Sequence, residues 1–371
     1  DLQTEYALAF AARRASGTED IPSQPLAPSL QEQPPDSARG IEALTNALRR
    51  KFASRLTGEL RLPASAGRYE PLPESLDRRL SKALAARGIE RLYAHQFEAW
   101  RAITAGRHTV VVTPTASGKT LCYNLPVLQG ALRSGAKALY LFPTKALSQD
   151  QVAEIAALNE AGDLGVRAFT FDGDTPGDAR LAVRTRGDVV VSNPDMLHQG
   201  ILPHHTKWAQ FFENLEYVVI DELHTYRGVF GSHMGNLLRR LRRVCRFYGS
   251  QPVFIMCSAT IANPGELAMA LLEEPVHEIS DSGAPRGERT ILLWNPPVIN
   301  PELGIRASAR SQSARIARMA VKAGLKSIVF TQTRIMVEVL TKYLKDVFDN
   351  DPRRAPRIKA YRGGYLPTER R

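Results

Sequence analysis

Short apolar runs alternate with helix-length segments through the middle of this chain, and that alternation limits the fold more than any other feature. The runs are TVVVT (109–113), ALYLF (138–142), VRAFTF (166–171), DVVVS (188–192), YVVID (217–221) and VFIMCS (253–258). A strand buried on both faces reads as an unbroken apolar run, and parallel neighbours need a long crossover between them, usually a helix. The pattern therefore predicts an α/β fold in which helices cover both faces of a mostly parallel sheet.

Composition divides the rest of the chain. Residues 21–37 (IPSQPLAPSLQEQPPDS) are rich in Pro, Ser and Gln, so residues 1–40 are read as a disordered or linker-like tail. Ile41, Leu44, Leu48, Phe52 and Leu56 recur at helical spacing, which predicts a helical extension over 41–68. The α/β domain is assigned to 69–290, and turn formers cluster at 280–305 around the short strand ILLW. A second α/β unit begins over 291–371, with helices at 307–323 and 333–348 and strands at SIVFT (327–331) and RIKAY (357–361). Two strands are too few for a stable sheet, so this second unit is expected to be incomplete.

Lys and Arg number 49 against 38 acids, and a net charge of +11 favours a polyanionic partner. The apolar runs are far shorter than a membrane span, and residues 1–20 lack the basic start and apolar block of a secretory signal. An intracellular, cytoplasmic protein without a membrane partner is expected. Cys122, Cys245 and Cys257 are scattered among apolar residues, which suits reduced core thiols, and no zinc site is expected.

Two stretches carry chemistry. TPTASGKT (113–120) follows a strand and opens a helix, where backbone N–H groups converge on an anion. It ends as a phosphate loop does: Lys119 would reach terminal phosphates and the Thr120 hydroxyl would hold Mg²⁺, although Thr113 stands where the motif has its first glycine. DELH (221–224) places two carboxylates at the C-terminal end of a strand. Asp221 can hold the metal and Glu222 can deprotonate an attacking water. The pair of motifs together reads as a nucleoside triphosphatase using ATP and Mg²⁺.

Further segments complete a series: YAHQ (93–96), FPTKALSQDQ (142–151), SNPDML (192–197), SAT (258–260) and VFTQTR (329–334). In this order they resemble the motifs of superfamily-two DEXH-box helicases. LPHHTKWAQFF, YRGVFGSH, SATIANPGELA and the closing YRGGYLPTERR are similar to bacterial DNA helicases of the mitomycin-repair type, relatives of a fungal RecQ4-like helicase that normally end in a four-cysteine zinc module. The resemblance implies a RecA-like first lobe and an incomplete second RecA-like lobe, with further second-lobe motifs and the zinc module lying after Arg371. It implies that the nucleotide is held by Tyr93, Gln96, Thr115, Ala116, Ser117, Gly118, Lys119 and Thr120. His224, Ser258 and Thr260 would relay the state of the γ-phosphate. Thr144, Lys145, Asn193, Pro194, Thr331 and Arg334 would line a track for the DNA backbone. The implied function is an ATP-dependent, 3′–5′ DNA helicase in repair, acting as a monomer on single-stranded or tailed DNA.

Alternatives stay open at this level. An RNA-stimulated helicase or an ATP-gated nucleic-acid-binding module without efficient turnover fits the same motifs, and Thr144 and Asn193 are good helix caps in their own right. Arg239, Arg240, Arg242 and Arg243 read as a solvated helix face, and the adjacent His204 and His205 would diverge on a helix rather than share a metal. Trp208, Phe211 and Phe212 read as core.

Overall fold

All six apolar runs of residues 109–258 become strands in the computed structural model, which describes residues 35–349 and 357–362. They are β1 (Thr109–Val112), β2 (Lys137–Leu141), β3 (Ala168–Thr170), β4 (Val189–Ser192), β5 (Leu215–Ile220) and β6 (Val253–Ser258), with β7 (His277–Ile279) as a seventh. They form one sheet in the order β7-β1-β6-β5-β2-β4-β3, every neighbouring pair parallel. The sheet belongs to a unit spanning residues 65–286.

Alternation along each strand divides the core. Val111, Tyr140, Val191 and Cys257 face one layer, where Leu80, Leu84, Trp100, Leu128 and Leu158 pack. These come from helices α1 (Arg78–Ala85), α2 (Ala94–Thr104), α3 (Lys119–Ser134) and α4 (Lys145–Gly162). Val110, Leu139, Val190 and Met256 face the other layer, with Trp208, Phe211, Phe212, Leu238 and Leu241. That layer includes α5 (Gly177–Arg186), α6 (Gly228–Phe247) and α7 (Pro264–Leu272). The aromatic cluster at 208–212 is therefore core. All three cysteines are buried and unpaired.

Two of the four arginines in the basic run on α6 meet carboxylates. Arg239 forks onto Glu273 at 2.9 and 2.5 Å, and Arg242 pairs with Glu274 while donating to the Leu272 carbonyl at 2.7 Å. No helix among the described residues is long and apolar enough to cross a membrane.

The other unit draws on described residues before 65 and after 286. Its first helix, Pro35–Lys51, begins inside the stretch read as tail, since proline is tolerated in a first helical turn; residues 1–34 of that reading lie outside the described residues. Residues 41–68 are not helical throughout. Leu56–Leu62 is a strand paired antiparallel with Arg289–Trp294, because Gly58 weakens helix continuation while a ready partner satisfies the extended backbone. Phe52 meets Trp294 edge-on at 5.4 Å, and the Arg55 guanidinium lies 4.7 Å over the Phe52 ring.

Helices Ala309–Lys322 and Arg334–Phe348 form close to the expected positions and pack through Ala314, Ala317, Leu340 and Leu344 with Ile358. The strands expected at 327–331 and 357–361 are not formed. A strand needs a neighbour to share its hydrogen bonds, and none among the described residues pairs with either segment; Ile328 and Phe330 stay 59% and 53% exposed.

Candidate nucleotide site and backbone track

The strand order decides which motifs meet. Open parallel sheets bind ligands beyond the carboxyl ends of their strands. Along that edge β1 carries the phosphate loop, β6 ends at Ser258, β5 leads to Asp221, β2 precedes Thr144 and β4 precedes Asn193. Because β6 lies between β1 and β5, Ser258 falls between the loop and the acidic pair.

The loop is built from two left-handed residues, Ala116 (φ 63°) and Gly118 (φ 78°), the second directly before α3. The left-handed backbone at Gly118 favours glycine, and a Cβ there would stand 2.6 Å from Gln96 Nε2, so Gln96 would have to shift. Thr113 and Ser117 hydroxyls lie 2.6 Å apart and close the loop across its base. Lys119 Nζ donates to the Thr113 and Pro114 carbonyls at 2.8 and 3.0 Å. Thr115 and Ala116 are exposed, while Thr120 is half-buried at the start of α3.

Gln96 braces this loop. Its Oε1 accepts from the Tyr93 backbone N–H at 2.9 Å and its Nε2 donates to the Gly118 carbonyl at 2.9 Å. Tyr93 stacks on His95 with ring centroids 5.9 Å apart.

The acidic pair sits in a strained turn, for Glu222 adopts φ 53°. The Glu222 N–H donates to Asp221 Oδ1 at 2.8 Å. Burial first, and then the Glu222 charge, pushes the Asp221 carboxyl well above the usual range. Burial likewise raises Glu222, against the pull of Lys119. His224 Nδ1 lies 3.3 Å from Glu222 Oε2 and 3.4 Å from Ser258 Oγ, and burial lowers its pKa. Glu222, His224 and Ser258 are thus one connected group; Thr260 is exposed beyond it.

Along the rest of the edge, Thr144 caps α4 by accepting from the Leu147 N–H at 3.5 Å, and Asn193 caps the turn opened by Pro194, accepting from Met196 N–H at 2.8 Å. Both therefore serve as helix caps. Lys145 reaches Asp174 at 2.5 Å. Thr331 and Arg334 belong to the other unit, where Arg334 is exposed at the start of its helix.

Two groups of residues escaped the sequence reading. Tyr123, Asn124 and Gln151 form a buried polar network: the Tyr123 hydroxyl lies 2.9 Å from Gln151 Oε1 and 3.4 Å from Asp221 Oδ2, and Asn124 Oδ1 accepts from both Tyr140 and Gln151. The signal was available, as three polar side chains on core-facing helix positions demand partners. His95 is fully buried, with Nδ1 accepting from the Gly283 N–H at 3.1 Å and Nε2 unpartnered. Its partner is distant in sequence and left no such signal.

A parallel sheet whose carboxyl edge sets a Gly-Lys-Thr loop beside an acidic pair defines a RecA-like nucleoside-triphosphatase lobe. This chain matches the DEAD/DEAH box helicase family over residues 93–267. It is 51% identical over 302 residues to the uncharacterized ATP-dependent helicase YprA of Bacillus subtilis, covering 81% of this chain and 40% of that protein. It is 34% identical over 377 residues to the ATP-dependent helicase hrq1 of Schizosaccharomyces pombe, covering 95% of this chain and 36% of the relative. Among solved structures, the DUF1998 helicase MrfA bound to DNA matches with a TM-score of 0.84 and 46% identity, over 89% of this chain and 44% of that one. The chain thus spans less than half the length of each of these relatives.

Proposed function

We propose that this chain is the ATP-binding lobe, with the beginning of a second RecA-like lobe from about residue 291, of an ATP-dependent DNA helicase that moves 3′ to 5′ and serves DNA repair. The observation that carries the ATPase reading is the convergence of Lys119, Ser258, His224 and the Asp221–Glu222 pair on one sheet edge. The DNA reading is supported by the likeness to MrfA, a helicase solved bound to DNA.

In this reading the N-terminus of α3 and Lys119 hold the phosphates of ATP, and Gln96 keeps Gly118 and its loop in the receiving shape. Glu222 takes the proton of the attacking water; its raised pKa makes it a better proton acceptor than an ordinary carboxylate. His224 touches both Glu222 and Ser258, so a change at the phosphates reaches the strand end that adjoins the DNA track.

Thr120 and Asp221 fit Mg²⁺. Two carboxylates crowded together with raised pKa values favour a cation, and a hard ion that keeps its waters and phosphate oxygens needs few protein ligands. When bound, the ion would neutralise charge that develops on the transferred phosphoryl group. Thr144, Lys145, Asn193 and Pro194, and Thr331 and Arg334 on the other unit, contact the strand through its backbone, which fixes register without reading sequence.

The test pairs two variants. Glu222→Gln should bind ATP at near-parental affinity and lose turnover by about 10²- to 10⁴-fold, whereas Lys119→Ala should lose binding. Stimulation by single-stranded DNA against RNA, and unwinding of duplexes with 3′ against 5′ tails, test partner and polarity. Parental turnover by Glu222→Gln would refute the assignment of the base.

A further inference from the structure

Helix α5 sets Arg180 and Arg184 one turn apart, so both side chains leave the same face. That face borders a cavity of about 420 Å³ whose wall also holds His204 and Lys207, with Phe171 and Met196. No acidic residue lines it. Several other basic side chains of this unit are matched: Arg87 with Glu154, Lys137 and Arg167 with Asp188, Arg239 with Glu273 and Arg242 with Glu274. Among the described residues no carboxylate pairs with Arg180, Arg184 or Lys207.

The two guanidinium groups are also held in place. Arg180 Nε donates to the Thr175 carbonyl at 3.0 Å, and its carbon lies 5.6 Å over the Phe171 ring. Arg184 Nε donates to the Arg180 carbonyl at 3.0 Å. Each contact occupies one nitrogen of the fork and leaves the terminal nitrogens to bridge the oxygens of a phosphate. Two like charges fixed on one helix face repel, and an anion between them removes the repulsion.

We propose that this cavity is a second phosphate-binding station for the DNA strand, outside the backbone track at Thr144, Lys145 and Asn193. It takes phosphodiester groups rather than a base, because Arg180 already covers the face of Phe171. The segment that contributes Met196, His204 and Lys207 begins at Pro194, directly after Asn193, so the track and the cavity wall share one stretch of chain. The proposal rests on the DNA-binding reading above.

The experiment measures affinity for single-stranded DNA as a function of salt. Removing two phosphate contacts in Arg184→Ala/Lys207→Ala should lower the slope of log affinity against log salt by about 1.4, equivalent to about 25-fold in affinity at ~0.1 M salt. A control, Arg101→Ala/Arg186→Ala, removes the same charge from exposed sites that do not line the cavity. Unchanged ATP binding in both variants verifies folding. An unchanged slope in the cavity variant, or an equal drop in the control, would overturn the station while leaving the track intact. Loss of slope in Lys145→Ala alone would place all binding on the track and also overturn it. A parental protein that binds no DNA at low salt would overturn both readings.

Discussion

Protonation of His95 should set an acid limit on the stability of the 65–286 unit. Its imidazole is fully buried, and burial, reinforced by the Lys119 charge, pushes its pKa down to about 4 from an ordinary 6.5. Below pH 6.5 the unfolded chain therefore takes up a proton that the native state refuses until about pH 4. The unfolded state binds more protons in that window, so stability falls as pH falls through it, and nothing is lost above it. With these two values, lowering pH from 8 to 5 costs about 2 kcal/mol, and the full window is worth about 3 kcal/mol. The raised carboxyl of Asp221 acts in the opposite sense, so a difference measurement is needed. His95→Asn retains an acceptor for the Gly283 N–H and does not titrate. Trp294→Phe in both backgrounds leaves Trp100 and Trp208, both buried in this unit, as fluorescent reporters. Urea unfolding at intervals from pH 5 to pH 8 should give a parental-minus-variant stability that rises by about 2 kcal/mol with pH. A difference that stays flat would show that His95 is not held neutral, and would sink the account of how the YAHQ segment docks beneath the phosphate loop.

Gly118→Ala should reduce ATP affinity by about tenfold or more with little global unfolding, since the added Cβ collides with Gln96 Nε2 and the left-handed backbone resists alanine; equilibrium nucleotide titration checks this, and parental affinity would contradict it. Arg87 meets Glu154 through two hydrogen bonds at 2.5 and 2.9 Å, with side chains only 13% and 10% exposed. Arg87→Ala should therefore cost about 3 kcal/mol by stranding the carboxylate, whereas Arg87→Met with Glu154→Leu should recover most of it in chemical denaturation.

Local sequence was enough for six of the sheet's seven strands. The central strands of the 109–258 region are apolar on both faces, and a helix-covered parallel sheet accommodates such runs, so their positions could be read to within a residue or two. The loop ending in Gly118, Lys119 and Thr120 and the pair Asp221–Glu222 are each runs of adjacent residues, which is why both motifs were legible before any fold was known. Leu56 was misread because its spacing from Phe52 suits a helix, while its actual partner, Trp294, lies far along the chain. Residues 327–331 were misread for the converse reason: β-forming composition supplies a preference, but a strand exists only beside another strand.

What tertiary structure alone decided is adjacency. The sequence named β1, β5 and β6 but did not order them, and the placement of β6 between the other two is what brings Ser258 to His224 and Glu222. Parallel strands are joined by crossovers that permit many orders, so packing rather than propensity selects one. The burial of His95 against Gly283 and the clustering of Arg180, Arg184 and Lys207 around one cavity belong to the same category. Residue type is written locally, whereas solvation and neighbouring charge are set by segments that meet only after the chain has folded.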